Sequence, residues 1–308
     1  KEGRNPVKVQ ADRAIAIVGF GEVSPLGNAF TRWQLESTGI LSLEGALELA
    51  WMMGLIRYEA TAHQAGFVVA DSGDPIADWE VKERFESQII SHTGIRFLED
   101  DAFAVGPDQL PIFSSVLLED DFDFPVSNLE TAAPFLESNS EATVVEMAGE
   151  TRVRLPAGSV VRVPRALKLS RYAAGQVPQG WDPERFGVPS RVAQQVDRVT
   201  LFNLVASAEA FLSAGLTPEE LREYVHPAYI GNTQGSGMGG MASLASLYHS
   251  YREDRQAPGD ILQETLINVM AGWLVQDYVG SFGPSVHPVG ACATAAVSLG
   301  SAWDLLQV

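Results

Sequence analysis

Gly283-Pro284-Ser285-Val286-His287-Pro288-Val289-Gly290-Ala291-Cys292-Ala293-Thr294-Ala295-Ala296 carries the only cysteine in a chain of 308 residues. Residues 285–289 are short, apolar-leaning and bounded by Gly and Pro, a pattern that predicts a strand. Residues 293–306 are small residues and Leu, which predicts a closely packed helix. Cys292 then falls where strand turns into helix. At such a junction the unpaired backbone N–H groups and the positive end of the helix dipole favour a thiolate over a thiol. The same N–H groups are suited to an oxyanion formed when the sulfur attacks a thioester or ester carbonyl. That is the geometry of a nucleophile elbow with Cys in place of Ser. A lone cysteine is more often a small buried hydrophobe. Here Gly290, Ala291, Ala293 and Ala295 leave the sulfur unshielded and let a substrate approach, which favours the chemical reading.

The rest of the composition sets bounds. With 46% hydrophobic and 19% charged residues, the chain reads as an ordinary globular protein of one large domain or two smaller ones. A formal charge of -18 argues against nonspecific binding to nucleic acid. One cysteine excludes an intrachain disulfide framework and is compatible with a reducing cytosol, so a cytoplasmic protein is expected. The longest apolar run, residues 47–56, contains Glu48 and falls short of the roughly 20 residues needed to span a bilayer, so no membrane is expected. Lys1-Glu2-Gly3-Arg4 is followed by no apolar stretch of a signal peptide and looks like the interior of a longer polypeptide.

Taken in order, Ala14-Ile15-Ala16-Ile17-Val18 predicts a buried strand, ending in the turn Gly19-Phe20-Gly21-Glu22-Val23-Ser24-Pro25-Leu26-Gly27. That turn departs from a dinucleotide fingerprint at Ser24 and Pro25. Residues 31–56 predict helix broken at Gly39, reopened by Ser42, with Trp51, Met52 and Met53 in the core. From 57 to 187 Pro, Gly, Asp and Glu become frequent, the mark of an inserted α+β region. Within it, residues 81–91 predict an exposed helix, and 143–147 with 151–155 a hairpin to which 160–169 adds a third strand. Glu119-Asp120-Asp121-Phe122-Asp123 lacks the spacing of a calcium loop and reads as solvated; no metal site is expected. Arg162, Arg165, Lys168 and Arg171 form the clearest basic stretch, either a solvated strand face or a patch for an acidic partner. Val192, Val196, Val199, Leu201, Phe202, Val205, Ala208 and Leu212 fall on one helix face ended by Gly215, and Thr217-Pro218-Glu219-Glu220 opens the next helix. Residues 228–231 predict a strand, and a helix capped by Asp260 is expected to run to about Tyr278.

Gly235-Ser236-Gly237-Met238-Gly239-Gly240 satisfies G-x-G-x-x-G and would suit a nucleotide-binding oxidoreductase. No acidic strand end follows about twenty residues later, as ribose recognition requires. The glycines are better explained by close helix packing that leaves Met238 facing a cavity.

Taken together, the Cys292 segment, Gly231-Asn232-Thr233-Gln234-Gly235-Ser236-Gly237-Met238-Gly239-Gly240, and Asp260-Ile261-Leu262-Gln263-Glu264 resemble the β-ketoacyl synthase domain of type I fatty acid synthases. The likeness is to the fungal and mycobacterial kind, with a mycobacterial-type multienzyme preferred. The turn after Val18 is similar to that family's opening, and Tyr172-Ala173-Ala174-Gly175-Gln176-Val177-Pro178-Gln179-Gly180-Trp181-Asp182 is similar to a stretch of the megasynthases. The resemblance implies an α/β, thiolase-like fold of five αβαβα layers, of which residues 1–56 and 188–308 would be the N-terminal half and 57–187 a megasynthase insertion. It implies Cys292 as the nucleophile that accepts the acyl chain from acyl carrier protein, before decarboxylative condensation with malonyl-carrier protein. Met238 and Leu266 fall where the family places acyl-pocket residues, and Arg165, Lys168 and Arg171 are candidates for carrier docking. The resemblance also implies that this segment binds no cofactor and that substrates arrive on the carrier's phosphopantetheine. Other synthase domains are the expected partners. Residues 285–289 match the strand that pairs across the family's homodimer axis, within a larger homo-oligomer. The family's two histidines and lysine belong to a second half whose motifs are absent here: His63, His92, His226, His249 and His287 match none of them. The 308 residues alone are therefore expected to be acylated at most, not to condense. A noncatalytic structural segment of the assembly is the second reading.

Overall fold

The computed structural model describes residues 14–60, 65–98, 112–138, 141–147, 149–165, 173–252, 259 and 261–307. The chain divides into two compact units, Lys1–Arg96 with Ala174–Val308, and Phe97–Ala173. The second is narrower than the inserted region, 57–187, drawn from composition.

In the first unit Asn28 opens α1 (Ala29–Thr38), its side-chain oxygen accepting the N–H groups of Phe30 and Thr31, and Gly39 at φ +69° closes it. Ser42 caps α2 (Leu43–Met52). The chain then forms a small antiparallel sheet of β1 (Ile56–Ala60), β2 (Ala65–Val69) and β3 (Pro75–Ile76), with Ile56 opposite Val69. Next comes α3 (Asp78–Ser91). It is amphipathic, not the exposed helix expected: Val81, Phe85 and Ile89 recur at helical spacing and are buried with Leu49, Met52 and Ile56 of the preceding elements. The charges of Lys82, Glu83, Arg84 and Glu86 occupy only its other face. The first unit ends its first pass in β4 (Ile95–Phe97).

The second unit contains β5 (Ile112–Leu117), β6 (Phe122–Pro125), α4 (Leu129–Ser138), β7 (Thr143–Met147), β8 (Glu150–Leu155) and β9 (Val160–Arg165). The expected hairpin is β7–β8, turning at Gly149, which has φ +83°. Its third strand is β6, not β9. Gly158 N–H donates to the Leu118 carbonyl and Leu118 N–H to the Ser159 carbonyl, which steers the chain after β8 onto β5. Asp123, from the acidic cluster, accepts a forked pair of bonds from Arg154 at 2.7 and 2.9 Å, and that guanidinium draws its carboxyl below the usual range. Ala132, Val153 and Leu155 form the small core. The strand β10 (Ala173–Gly175) pairs with β4 as the chain returns to the first unit.

The remainder of the first unit is α5 (Ser190–Ala193), α6 (Arg198–Ala214), α7 (Pro218–Tyr224), α8 (Met241–Arg252), α9 (Ile261–Glu264), α10 (Val269–Trp273), a π-helical segment Leu274–Val279, and α11 (Thr294–Gln307). The single apolar face expected from Val192 to Leu212 is interrupted at Asp197. Its carboxylate is buried and accepts Val199 N–H of α6 at 3.0 Å and Ser243 N–H of α8 at 2.8 Å. Leu212, expected on that face, is exposed. The long helix expected to Tyr278 also breaks, after Glu264, where Gly239 and Gly240 press on the Glu264 and Thr265 carbonyls. Glu264 is buried and fully used: its carboxylate accepts Asp197 N–H at 2.9 Å and the Trp273 indole N–H at 2.8 Å. Residues 228–231 are not a strand. Pro227–Tyr229 is a 3-10 turn, with Pro at its start and the His226 ring accepting Ala228 N–H. No single helix among the described residues is long and apolar enough to cross a membrane.

Residues 14–20 join no ladder among the described residues, so the expected buried strand is not formed: Ile17 and Val18 are exposed by 73% and 74%. One side lies on α6, where a Cβ at Gly19 or Gly21 would overlap the Ala210 or Ala206 carbonyl. Beside this contact is a cavity of about 660 Å³, walled by Phe20, Phe30, Trp51 and Phe186, with Glu48 and Glu209 in its lining. Glu48 accepts Asn28 N–H at 2.6 Å and the Thr31 hydroxyl, and burial raises its carboxyl. Glu209 accepts Glu22 N–H at 3.2 Å; burial, with help from the charges of Glu48 and Glu22, pushes it up to about 7. Because the folded protein holds this proton to a higher pH than the unfolded chain does, stability declines as pH rises from about 4.5 through about 7. Glu209→Gln keeps an acceptor and removes the charge, so urea midpoints measured across that window should fall less steeply than in the parent; an unchanged slope would contradict the assignment.

Candidate active site

Cys292 is a free, exposed thiol in the 3-10 turn Ala291–Ala293, directly ahead of α11. Ala291 has φ +47°, the one non-glycine residue in the left-handed region among the described residues. That conformation costs roughly 1–2 kcal/mol for a residue with a Cβ, so the surrounding contacts must hold it. Ala293 N–H donates to the Gly290 carbonyl at 2.9 Å, and Gly290 N–H to the Thr294 hydroxyl at 2.9 Å.

The approach to the turn is a strand only at its beginning. Asn232 N–H donates to Pro284 O and Val286 N–H to Asn232 O, both at 2.8 Å, a single parallel bridge between Asn232 and Ser285. Polar groups carry the rest. Gln234 accepts from Asn203 at 2.9 Å and donates to Ser207 at 3.3 Å, both on α6. Its carbonyl lies 3.2 Å from His287 Nδ1, while His287 Nε2 lies 3.1 Å from the Ser285 hydroxyl. A carbonyl can only accept, so Nδ1 carries a proton and donates it to the Gln234 carbonyl. His287 thus braces the segment leading to Cys292.

The glycine loop does the close packing. A Cβ at Gly235 would overlap the Pro288 carbonyl oxygen and come within 2.9 Å of the Thr294 methyl; one at Gly237 would lie 3.3 Å from the Ala291 carbonyl. Gly239, at φ +67°, and Gly240 meet Ile267 and Glu264 on the other side. Space that a pyrophosphate would need beside these glycines is filled by the chain's own backbone, which removes the nucleotide-binding reading of G-x-G-x-x-G. The loop brings the Cys292 turn, Met238 and the 264–267 turn into one neighbourhood. Met238 and Leu266 are both exposed, by 69% and 53%, and neither lines the cavity beside Phe20. Arg165 is the last residue of β9, opposite Ile112; Lys168 and Arg171 lie outside the described residues. Among the described residues no three His, Cys, Asp or Glu side chains are grouped as metal ligands.

Sequence reading passed over Thr294, Gln234, Asp197 and Glu264. Asp197 carried a signal, an acceptor side chain just before an apolar helix. The others are polar residues whose partners lie dozens of positions away or are backbone groups.

The chain has the thiolase-like fold of condensing enzymes. It is shared with the noncanonical ketosynthase FabY from P. aeruginosa, with a TM-score of 0.68 at 23% sequence identity over 94% of this chain and 45% of that one. Residues 148–308, more than half of the chain, match the family "Beta-ketoacyl synthase, N-terminal domain", and the chain belongs to that family. It is also similar to fungal fatty acid synthase subunits alpha: 41% identical over 305 residues to that of Emericella nidulans, and 37% over 297 residues to that of Saccharomyces cerevisiae. These alignments cover 97% and 94% of this chain, which spans only 18% and 16% of those subunits.

Gly235→Ala is expected to destabilise the fold by about 1–3 kcal/mol, the usual cost of overpacking, because the Pro288 carbonyl and the Thr294 methyl must move. Urea denaturation checks this; an unchanged midpoint would show that the loop can yield.

Proposed function

We propose that this chain is the segment of a multifunctional fatty acid synthase's β-ketoacyl synthase that bears the nucleophile, and that Cys292 takes up a fatty acyl group from acyl carrier protein. The observation that carries the reading is an exposed cysteine on a left-handed turn at the head of a 14-residue helix. The Cys292 thiolate attacks the carbonyl carbon of an acyl thioester; a C–Sγ bond forms and the carbonyl electron pair moves to oxygen. Backbone N–H groups at the turn, that of Cys292 first, hold the oxyanion. Its collapse breaks the bond to the phosphopantetheine sulfur, which leaves and takes up a proton.

In the condensing step malonyl-carrier protein loses CO₂. The electron pair left on its carbon attacks the Cys292 thioester, the C–Sγ bond breaks, and a 3-ketoacyl product two carbons longer departs. Groups that drive this step are assigned to none of the described residues: His287 and His226 are held in the backbone turns described above. Acylation of Cys292 is therefore the step we assign to these residues alone. Met238 and Leu266 would line the path of the acyl chain, and the unit Phe97–Ala173 would be part of the megasynthase insertion. The partners in this reading are the carrier domain, other synthase domains and a second synthase copy in a larger homo-oligomer, in the cytoplasm.

Incubation with acyl-CoA or acyl-carrier protein should add a single acyl group to Cys292, read by intact mass, and a cerulenin-like electrophile should block it. A thiol inert to both would favour a noncatalytic structural segment. Reversing charge at Arg165, Lys168 and Arg171 should slow transfer from acyl-carrier protein by about tenfold, given the usual effect of charge on encounter, and spare transfer from acyl-CoA. Equal rates from the carrier would remove that patch from docking.

A further inference from the structure

Thr294, the first residue of α11, is nearly buried at 7% exposure yet is polar at its only functional atom. Its hydroxyl has two backbone partners. Oγ1 accepts Gly290 N–H at 2.9 Å and donates to the Ala291 carbonyl at 2.8 Å. Both partners precede Cys292, so the side chain reaches back across the turn and ties its two ends together. The Thr294 methyl is fixed as well, against the space Gly235 leaves by having no Cβ. One face of the side chain therefore sets its rotamer while the other closes the turn.

We propose that Thr294 is a positioning residue for Cys292: its hydroxyl holds Ala291 in the left-handed conformation and thereby aims the Cys292 N–H and Sγ at the same reacting carbonyl. A positive φ at Ala291 has no intrinsic support, since alanine prefers negative φ. The two hydrogen bonds add to the backbone bonds of the turn, from Ala293 N–H to the Gly290 carbonyl and from Thr294 N–H to the Ala291 carbonyl. Without them those backbone bonds alone hold Ala291, and it relaxes together with the peptide unit that carries the Cys292 N–H. The thiol stays exposed in either case, because its exposure comes from the small residues around it. What is lost is the registry between nucleophile and oxyanion donor. This rests on the acyl-transfer reading given above.

Thr294→Val and Thr294→Ser in the chain separate the contributions. Valine keeps the branched shape and loses both hydrogen bonds; serine keeps the bonds and loses the methyl. Each is measured for the rate of Cys292 alkylation by iodoacetamide, which forms no oxyanion, and for the rate of acylation by acyl-CoA as a function of its concentration. T294V should alkylate within about twofold of the parent but acylate about 100-fold more slowly at saturation, with little change in the half-saturating concentration, as expected for loss of an oxyanion donor. T294S should recover most of that rate. A folded T294V that acylates at the parent rate, or alkylation and acylation falling together, would overturn the proposal. If T294V does not fold, T294S decides: acylation below a tenth of the parent would overturn it. A parent chain that alkylates but never acylates would instead sink the acyl-transfer reading itself.

Discussion

The unit that bears Cys292 depends on backbone meeting backbone. Between residues 235 and 240 the chain has four glycines, and it needs them because two other stretches of main chain lie against it. On one side are the Pro288 and Ala291 carbonyls, on the other those of Glu264 and Thr265. Contacts this close leave no room for side chains and so cannot slide by a rotamer change, as an ordinary core contact can. They fix the Cys292 turn relative to α9 and α8 more tightly than apolar packing alone would.

Polar groups complete what the glycines begin. Asp197 and Glu264 are buried carboxylates that form no ion pair among the described residues; each is instead satisfied by backbone or indole N–H groups at helix starts and turns. Gln234 plays a similar part between α6 and His287. Such networks contribute modest net stability when every member is paired and cost far more when one is removed. They also specify a single arrangement, which suits a turn whose left-handed alanine would relax in a looser setting. The apolar core of α2, α3 and the β1–β3 sheet, built on Leu49, Met52, Val81 and Ile89, is of the ordinary kind by contrast.

Features encoded within a few residues were legible in the sequence. Gly39 and Gly215 end helices, Ser42 and the Thr217–Glu220 box begin them, and Gly149 turns the hairpin. The Cys292 turn was legible for the same reason: small residues mark a place where a backbone must turn sharply and stay open. Features decided by distant partners were not. A run such as Ala14-Ile15-Ala16-Ile17-Val18 has every local property of a strand, yet strand is a property of pairs, and α6 supplies a helix face instead of a ladder. Helix breaks after Ala193 and Glu264 likewise reflect contacts with α8 and the glycine loop. Thr294 was hidden because a threonine at a helix start is commonplace, and only its reach back to Gly290 sets it apart.

The run at 14–20 bears on how this polypeptide behaves in solution. It leaves Ile17 and Val18 bare, and Val286 and Val289 are partly uncovered on the approach to Cys292. Exposed apolar stretches of this kind favour association with other apolar surfaces. A charge of -18 opposes such encounters at long range in dilute buffer. Added salt screens that repulsion while leaving the apolar stretches as adhesive as before, so rising ionic strength favours self-association of the chain.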